Sequence, residues 1–188
     1  MSIYIDHAAT TPVLDSALRA MDHAARTLGN PSSLHSDGRA ARKIVEDARD
    51  VIAAEVGCAP IEVIFTGGGT EANNAAIKGL LWASNKKIIL ISAIEHHAVM
   101  DPAKWLEENE GATVVEIPVT KGGVIDLDFL RTYVESHRND IALISVMHSN
   151  NETGVLQPIK EVVEIAGDIP VHSDAVQSFT KTPLHFGQ

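Results

Sequence analysis

The stretch Ile61–Ile77, IEVIFTGGGTEANNAAI, carries the clearest sign of the fold. Its first part, Val63–Phe65, is apolar and rich in β-branched and aromatic residues, which predicts a buried strand. Three glycines follow, and the residues after them predict a helix, with Thr70 as its N-cap and Glu71 in its first turn. A strand that turns through glycines into a helix directs several free N–H groups to one point, which suits an anion such as phosphate.

This glycine turn has two interpretations that the local sequence leaves open, a phosphate site or a βα turn without a ligand. No Gly-Lys-Ser/Thr follows the glycines, so the turn is not a Walker A motif, and it is not a GxGxxG motif either. A nucleotide-binding fold would also fit the turn. That fold leaves His96, Asp174 and Gln177 without a role, so we rank it last.

Composition limits the class of protein. The 188 residues are 45% hydrophobic and 4% aromatic, so the chain can bury an aliphatic core of the layered α/β type. The formal net charge is −10 and no Lys/Arg cluster with interleaved aromatics occurs, which argues against nucleic-acid binding. The N-terminus lacks the pattern of a signal peptide, no apolar run is long enough to span a bilayer, and Cys58 is a single cysteine. We therefore expect a cytoplasmic protein without membrane contact.

Strands and helices alternate along the remaining chain. After the opening stretch, apolar runs predict strands at 87–92, 114–119, 141–147 and 169–173. Amphipathic patterns predict helices at 15–28, 36–54, 70–82, 99–108, 126–136 and 158–166. Because the strands are hydrophobic throughout, the prediction is an α/β fold with a mainly parallel sheet flanked by helices.

Polar residues follow the predicted strands. In parallel sheets, ligands bind beyond the carboxyl ends of the strands. The glycine turn follows the first strand, Glu95-His96-His97 the second, and His148–Gly154 a later one, and Asp174 with Gln177 follows the last. We expect these groups to converge at one edge of the sheet.

Asp174 and His96 each allow two interpretations. Asp174 is either a helix N-cap or the partner of a protonated ring nitrogen, which pyridoxal phosphate (PLP) requires. His96 is either an ordinary loop residue or a flat ring that stacks on such a cofactor. Together with His97 and His172 it could suggest a metal, but no HxxxH or CxxC pattern supports one, and His172 fits a core histidine better.

Asn150 and Asn151 are turn formers, or one of their amides faces a phenolate oxygen. Gln177, three residues after Asp174, lies on the same side as Asp174 if a helical turn follows.

Six motifs carry a family resemblance. They are Tyr4–Pro12 (YIDHAATTP), Gly29–Ser33 with His35, Gly68–Asn74 (GGTEANN), Glu95–Val99 (EHHAV), Asn150–Gly154 (NNETG) and His172–Ser178 (HSDAVQS). In this order and spacing the sequence resembles the cysteine desulfurases of the class V aminotransferase group, in particular the branch that supplies sulfur for iron–sulfur clusters.

The resemblance implies a fold type I PLP-dependent enzyme. Gly69 and Thr70 would hold the cofactor phosphate, His96 would stack on the ring and serve in catalysis, and Asp174 would pair with the ring nitrogen. Asn151 and Gln177 would contact the ring hydroxyl side. The family converts L-cysteine to L-alanine and keeps the sulfur as an enzyme persulfide. A homodimer and iron–sulfur scaffold or sulfur-acceptor proteins are the partners that the resemblance implies.

The resemblance also implies that half of the enzyme is missing. Family members are roughly twice this long, and the lysine that holds PLP and the persulfide cysteine follow later; neither Lys181 nor Cys58 stands in a matching context. We expect residues 1–14 to be an N-terminal segment and 15–188 an incomplete PLP-binding large domain. Without its later strands the chain should self-associate and have little or no desulfurase activity. The alternatives are another class V enzyme, such as a selenocysteine lyase or an aminotransferase, and a non-catalytic module that binds a phosphate ligand.

Overall fold

The computed structural model describes residues 3–186, which form two compact units. Of these, residues 3–65 and 184–186 belong to the first unit, and Thr66–Pro183 form the second. The division into an N-terminal segment, 1–14, and a large domain from residue 15 stays a prediction.

Two helices make up about half of the first unit. Helix α1 spans Asp15–Arg26 and helix α2 spans Ser36–Val56, and a short 3-10 helix follows at Pro60–Glu62. Helix α2 ends as its sequence predicts, because Gly57 adopts a left-handed conformation with φ 71° that glycine tolerates best.

The prediction of a buried strand at Val63–Phe65 is wrong. The backbone at Val63 is extended, but no described strand runs beside this segment, and Ile64 is 81% exposed. The Arg49 guanidinium donates a hydrogen bond to the Val63 carbonyl, and its Cζ lies 5.0 Å from the centre of the Phe65 ring. An apolar, extended sequence forms a strand only where a neighbour accepts its hydrogen bonds.

The second unit contains a parallel sheet. Its strands are β1 (Ile88–Ser92), β2 (Thr113–Ile117), β3 (Ile141–Ser145) and β4 (Val171–His172). Its helices are α3 (Gly69–Trp82), α4 (His97–Glu110), α5 (Leu127–His137) and α6 (Ile159–Ala166). The strand order is β2-β1-β3-β4 and every pair is parallel, which confirms the α/β prediction.

Both faces of this sheet are buried. Ile89 and Ile91 of β1 pack in one cluster with residues of α3 and α4, whereas Leu90 packs in a second cluster with residues of α5 and α6. This alternation along β1 follows from the pleat, which sends successive side chains to opposite faces. The uninterrupted apolar character of β1 and β3 is thereby explained.

The chain changes direction between β1 and β3. It leaves β1 through α4 to β2 on one side, then returns through α5 to β3 on the other side. In open α/β sheets a crevice opens at such a switch point, beyond the carboxyl ends of the strands. Between residues 3 and 186, no helix is both long and apolar enough to cross a membrane.

Several element ends differ from the sequence-based prediction. Helix α1 stops at Arg26 rather than at residue 28, α4 begins at His97 rather than at residue 99, and β4 is only two residues long. Most of these differences amount to the one or two residues by which helix and strand ends commonly vary. Strand β4 is shorter than predicted, and it pairs with β3 over only two residues.

Candidate active site at the sheet switch point

A cavity of about 170 Å³ lies where the carboxyl ends of β1, β3 and β4 meet the start of α3. Six site residues were predicted from the sequence, and all of them line it: Gly69, Thr70, His96, Asn151, Asp174 and Gln177. Segments more than a hundred residues apart in sequence are therefore brought to one place. The roles of these residues toward a cofactor stay predictions.

The start of α3 is one wall of this cavity. The helix begins at Gly69, with Gly68 as N-cap and no capping side chain. Within the described residues, no hydrogen bond leaves the backbone N–H groups of Gly69, Thr70 and Glu71. The positive end of the helix dipole and these N–H groups make the wall suitable for an anion.

Thr70 is not the N-cap that the sequence predicted. It lies inside the first turn, because the helix already begins one residue earlier, at Gly69. The Glu71 carboxylate accepts a hydrogen bond of 2.6 Å from the N–H of Gly67, which precedes the helix. This bond closes the glycine turn. Glu71 lies in the first turn, as predicted.

Gly69 lies close to Val176. A Cβ atom at this position would lie 2.8 Å from Cγ2 of Val176, so that exposed side chain would have to shift. The glycine thus lets the start of α3 approach the turn after β4. This approach brings the N–H groups of α3 to the same cavity as Asp174.

Asp174 is a buried carboxylate, 8% exposed, in the cavity wall. Its Oδ2 accepts a hydrogen bond of 2.7 Å from Nδ2 of Asn73, and its Oδ1 accepts one of 2.9 Å from the Val176 N–H. No helix follows it; a turn does, held by the Ser178 N–H and the Ala175 carbonyl. The N-cap interpretation therefore does not hold, and the carboxylate is fixed in one orientation.

Asn73, which holds that carboxylate, was missed by reasoning from the sequence. It is 4% exposed and lies on the same face of α3 as Ile77 and Leu81, both buried. The sequence spacing could have indicated its burial, because residues four apart, such as Asn73 and Ile77, share one face of a helix. A buried amide on an apolar face must find a hydrogen-bonding partner, and Asp174 is that partner.

His96 is the N-cap of α4. Its Nδ1 accepts a hydrogen bond of 3.1 Å from the Ala98 N–H. This bond orients the ring at the cavity and leaves Nε2 to carry the proton of the neutral imidazole. His97 does not line the cavity; its Nδ1 lies 3.3 Å from Oδ1 of Asp101 in an exposed pair, which contributes little to stability.

The two asparagines after β3 have different positions. Asn150 is buried, and its Oδ1 accepts hydrogen bonds from the N–H groups of Glu152 and Thr153. Asn151 instead lines the cavity. The turn-former interpretation thus holds for Asn150, and Asn151 is the amide that faces the candidate site.

Three titratable groups at this edge of the sheet have shifted pKa values. Burial raises the pKa of Glu95 to about 7, against the lowering effect of its hydrogen bonds from Ser92 and Met147, and the negative charge of Asp174 adds to the rise. Burial lowers the pKa of His148. Burial also lowers the pKa of His172, and Asp174 opposes that shift.

His172 is a satisfied core histidine, as the sequence indicated. Its Nδ1 lies 2.9 Å from Oγ of Ser145 on the neighbouring strand. Across residues 3–186, no three His, Cys, Asp or Glu side chains lie close enough together to hold a metal ion.

The cavity walls thus combine an anion site, an aromatic ring, a buried carboxylate and three side-chain amides, those of Asn73, Asn151 and Gln177. No lysine is among the described residues that line it. Nζ of Lys181 lies 3.3 Å from Oε1 of Gln177 and is exposed. Cys58 belongs to the first unit.

The sequence from residue 3 to residue 188 matches the family model described as Aminotransferase class-V. The chain belongs to this family. Class V aminotransferases as a group depend on PLP, and the anion site, ring and carboxylate described above suit that cofactor.

Curated relatives are named as cysteine desulfurases. An IscS-like cysteine desulfurase from Mycobacterium tuberculosis is 47% identical over 191 residues, which cover 98% of this chain and 48% of the relative. A cysteine desulfurase IscS from Dictyoglomus turgidum is 43% identical, over 97% of this chain and 47% of the relative. The chain spans about half the length of the curated relatives it matches.

Solved structures show the same architecture. A NifS-like protein superposes with a TM-score of 0.93 at 36% identity, over 99% of this chain and 52% of that protein. A protein described as SspA in complex with cysteine superposes with a TM-score of 0.90 at 35% identity, over 98% and 53%. The sequence-based resemblance and the prediction of a fold type I architecture are therefore confirmed.

Proposed function

We propose that the cavity binds pyridoxal 5′-phosphate and that this class V chain is the cofactor-binding part of a cysteine desulfurase. The observation that carries the proposal is the buried carboxylate of Asp174, which shares one cavity with the start of α3 and with His96. A phosphate site alone would need only the helix start. A buried carboxylate opposite it suits a ligand that is anionic at one end and cationic at the other.

The residues of the chain fit such a ligand. The N–H groups of Gly69 and Thr70 receive the phosphate, and the Thr70 hydroxyl is a further donor. Asp174, held by Asn73 and the Val176 N–H, pairs with the protonated ring nitrogen. When bound, PLP supplies an electron sink for the bonds at the substrate α-carbon, and the ion pair with Asp174 keeps the ring protonated for that purpose.

His96 is the group that we assign to catalysis. Its ring would stack on the bound cofactor, and a proton on Nε2 would be available to a substrate, because Nδ1 is engaged by the Ala98 N–H. Asn151 and Gln177 line the cavity. With PLP bound, they would contact the hydroxyl side of its ring.

The proposed reaction is the conversion of L-cysteine to L-alanine, with the sulfur kept as a persulfide and passed to an acceptor. The names of the curated relatives and the cysteine complex of SspA support it. The IscS names also support iron–sulfur cluster assembly as the destination of the sulfur. We further propose a cytoplasmic homodimer that docks scaffold or acceptor proteins.

Because no lysine lines the cavity within residues 3–186, we expect the 188-residue chain to bind PLP reversibly and to turn over L-cysteine little or not at all. The same observation favours a second candidate, a non-catalytic module that binds a phosphate ligand. A selenocysteine lyase or another class V aminotransferase would share the cavity, so substrate turnover by a longer protein separates those enzymes.

PLP titration of the chain, followed by absorbance and protein fluorescence, tests the proposal. Asp174→Asn should weaken PLP binding at least about tenfold, because a buried charge pair is lost. Asp128→Asn, on the exposed surface of α5, is the matched control and should leave the affinity unchanged. The proposal would fail if the Asp174→Asn variant bound PLP as tightly as the unchanged chain and inorganic phosphate competed fully. The chain would then be a module that binds a phosphate ligand.

A further inference from the structure

Glu95 lies beside the candidate site but does not line it. It is 6% exposed and stands between the carboxyl end of β1 and His96. Its Oε1 accepts a hydrogen bond of 2.7 Å from Oγ of Ser92 and one of 2.6 Å from the N–H of Met147. The side chain thus joins the end of β1 to the segment that follows β3.

The other oxygen of this carboxyl group, Oε2, is buried and has no hydrogen-bonding partner among the described residues. This asymmetry matches an uncharged acid, in which the carbonyl oxygen accepts two bonds and the hydroxyl is the second oxygen. An ionised group would instead leave a charged oxygen in the interior without a donor. That costs far more free energy than an uncharged hydroxyl at the same place.

The surrounding charges favour the same form. The titratable groups at this edge of the sheet are Asp174 after β4, His172 on β4, His148 after β3 and His96 next to Glu95. Among them, Asp174 acts on Glu95 electrostatically, and its negative charge opposes a second one nearby. Two buried carboxyl groups of one site rarely both ionise.

The segments that Glu95 joins carry cavity residues. His96 follows it directly, and Met147 lines the cavity. Asn150 supports the same junction, because its Nδ2 donates a hydrogen bond of 3.2 Å to the carbonyl of Ile94. A change at Glu95 would therefore reach the cavity through the backbone on either side of the switch point.

We propose that Glu95 is a positioning residue of the PLP site: as an uncharged acid it ties the ends of β1 and β3 together, sets the places of His96 and Met147, and leaves the negative charge to Asp174. The inference rests on the proposed function, since it assigns Glu95 a part in holding the cofactor. Glu95 itself does not line the cavity, so it would act through its neighbours.

Two substitutions test this inference. Glu95→Gln keeps a carbonyl oxygen for Ser92 and Met147 and carries no charge, whereas Glu95→Ala removes both bonds. We expect Glu95→Gln to bind PLP within about threefold of the unchanged chain, and Glu95→Ala to bind it about tenfold or more weakly, since hydrogen bonds that fix the cavity are lost. Equal weakening by both substitutions, or none by Glu95→Ala, would overturn the inference.

A second readout needs no cofactor. Amide exchange measured by NMR should show the Met147 N–H protected in the unchanged chain and in Glu95→Gln, and exposed in Glu95→Ala. Carboxyl-carbon shifts of Glu95 should show an uncharged acid at pH 6. If the chain fails to bind PLP while both NMR results hold, the proposed function fails and the joining role of Glu95 stands. An ionised Glu95 at pH 6, or a Met147 amide that is indifferent to Glu95→Ala, contradicts the joining role itself.

Discussion

At the scale of single residues, the hydrogen bond between Asn73 and Asp174 stabilises the cavity wall. Asn73→Ala leaves a buried carboxylate oxygen without its donor, and we expect a loss of about 1–3 kcal/mol in the free energy of unfolding. Asn74→Ala, one position along the same helix, removes only a bond to the Thr70 carbonyl and is expected to change stability by less than about 0.5 kcal/mol. Urea unfolding measures both; similar values would contradict the role given to Asn73.

Glu95 gives stability a dependence on pH whose sign follows from its raised pKa. The folded chain holds the proton up to about pH 7, whereas the unfolded chain releases it around 4.5. The folded state therefore binds more protons within that window, and stability falls as pH rises from about 4.5 to 7, by about 3 kcal/mol in all. Glu95→Gln should remove this fall.

The comparison must be made as a difference between the two chains. His148 and His172 have lowered pKa values, so the folded state resists their protonation and stability is lost as pH falls below about 6.5. These histidines are common to both chains and cancel in the difference. Unfolding free energies at pH 5, 6, 7 and 8 provide the measurement, and a difference that is flat across this range would refute the assignment.

The six cavity residues named from the sequence could be predicted, because polar groups at the carboxyl ends of parallel strands converge. Asn73, which also lines the cavity, and Glu95, which lies behind it, could not. Asn73 and Glu95 act through partners 101 and 52 positions away, Asp174 and Met147, and such pairs follow from the packing of α3 and β3 rather than from local pattern. The Thr70 prediction failed because a glycine without any capping side chain starts the helix.

At the scale of elements, the approach of α3 to the turn after β4 depends on Gly69. Gly69→Ala places a Cβ against Val176, and we expect PLP binding to weaken about fivefold, as overpacking moves the helix start. Gly79→Ala in the same helix meets no atom within 4 Å and should only stabilise the helix. The double variant Gly69→Ala/Val176→Ala should regain the affinity, and failure to regain it would contradict the packing role given to Gly69.

The strands and helices of the second unit could be predicted from the spacing of hydrophobic residues, since each element buries its hydrophobic face. The segment Val63–Phe65 shows the limit of that reading. Its composition is that of a strand, but composition does not report whether a partner strand is present, and the described chain offers none. The amphipathic sequence of α1 likewise predicted its helix, but the apolar face of the helix is exposed, with Leu18 and Met21 on the surface.

At the scale of the whole molecule, the protection of backbone amides from hydrogen exchange should differ between helix α1 and the sheet. Helix α1 has no buried residue, whereas every residue of β3 is buried. Amides of β1 and β3 should therefore exchange only through large openings, and those of α1 through local fraying. Hydrogen exchange with mass spectrometry at low protein concentration checks this, and protection of α1 equal to that of β3 would contradict it.

The central claim is that the cavity holds PLP with its ring nitrogen at Asp174. The most direct measurement is the 15N NMR shift of ring-labelled PLP bound to the chain, at a pH where the free cofactor has lost its ring proton. We predict the shift of a protonated ring in the unchanged chain and of an unprotonated ring in Asp174→Asn. An unprotonated ring in the unchanged chain, or the same shift in both, would contradict the account.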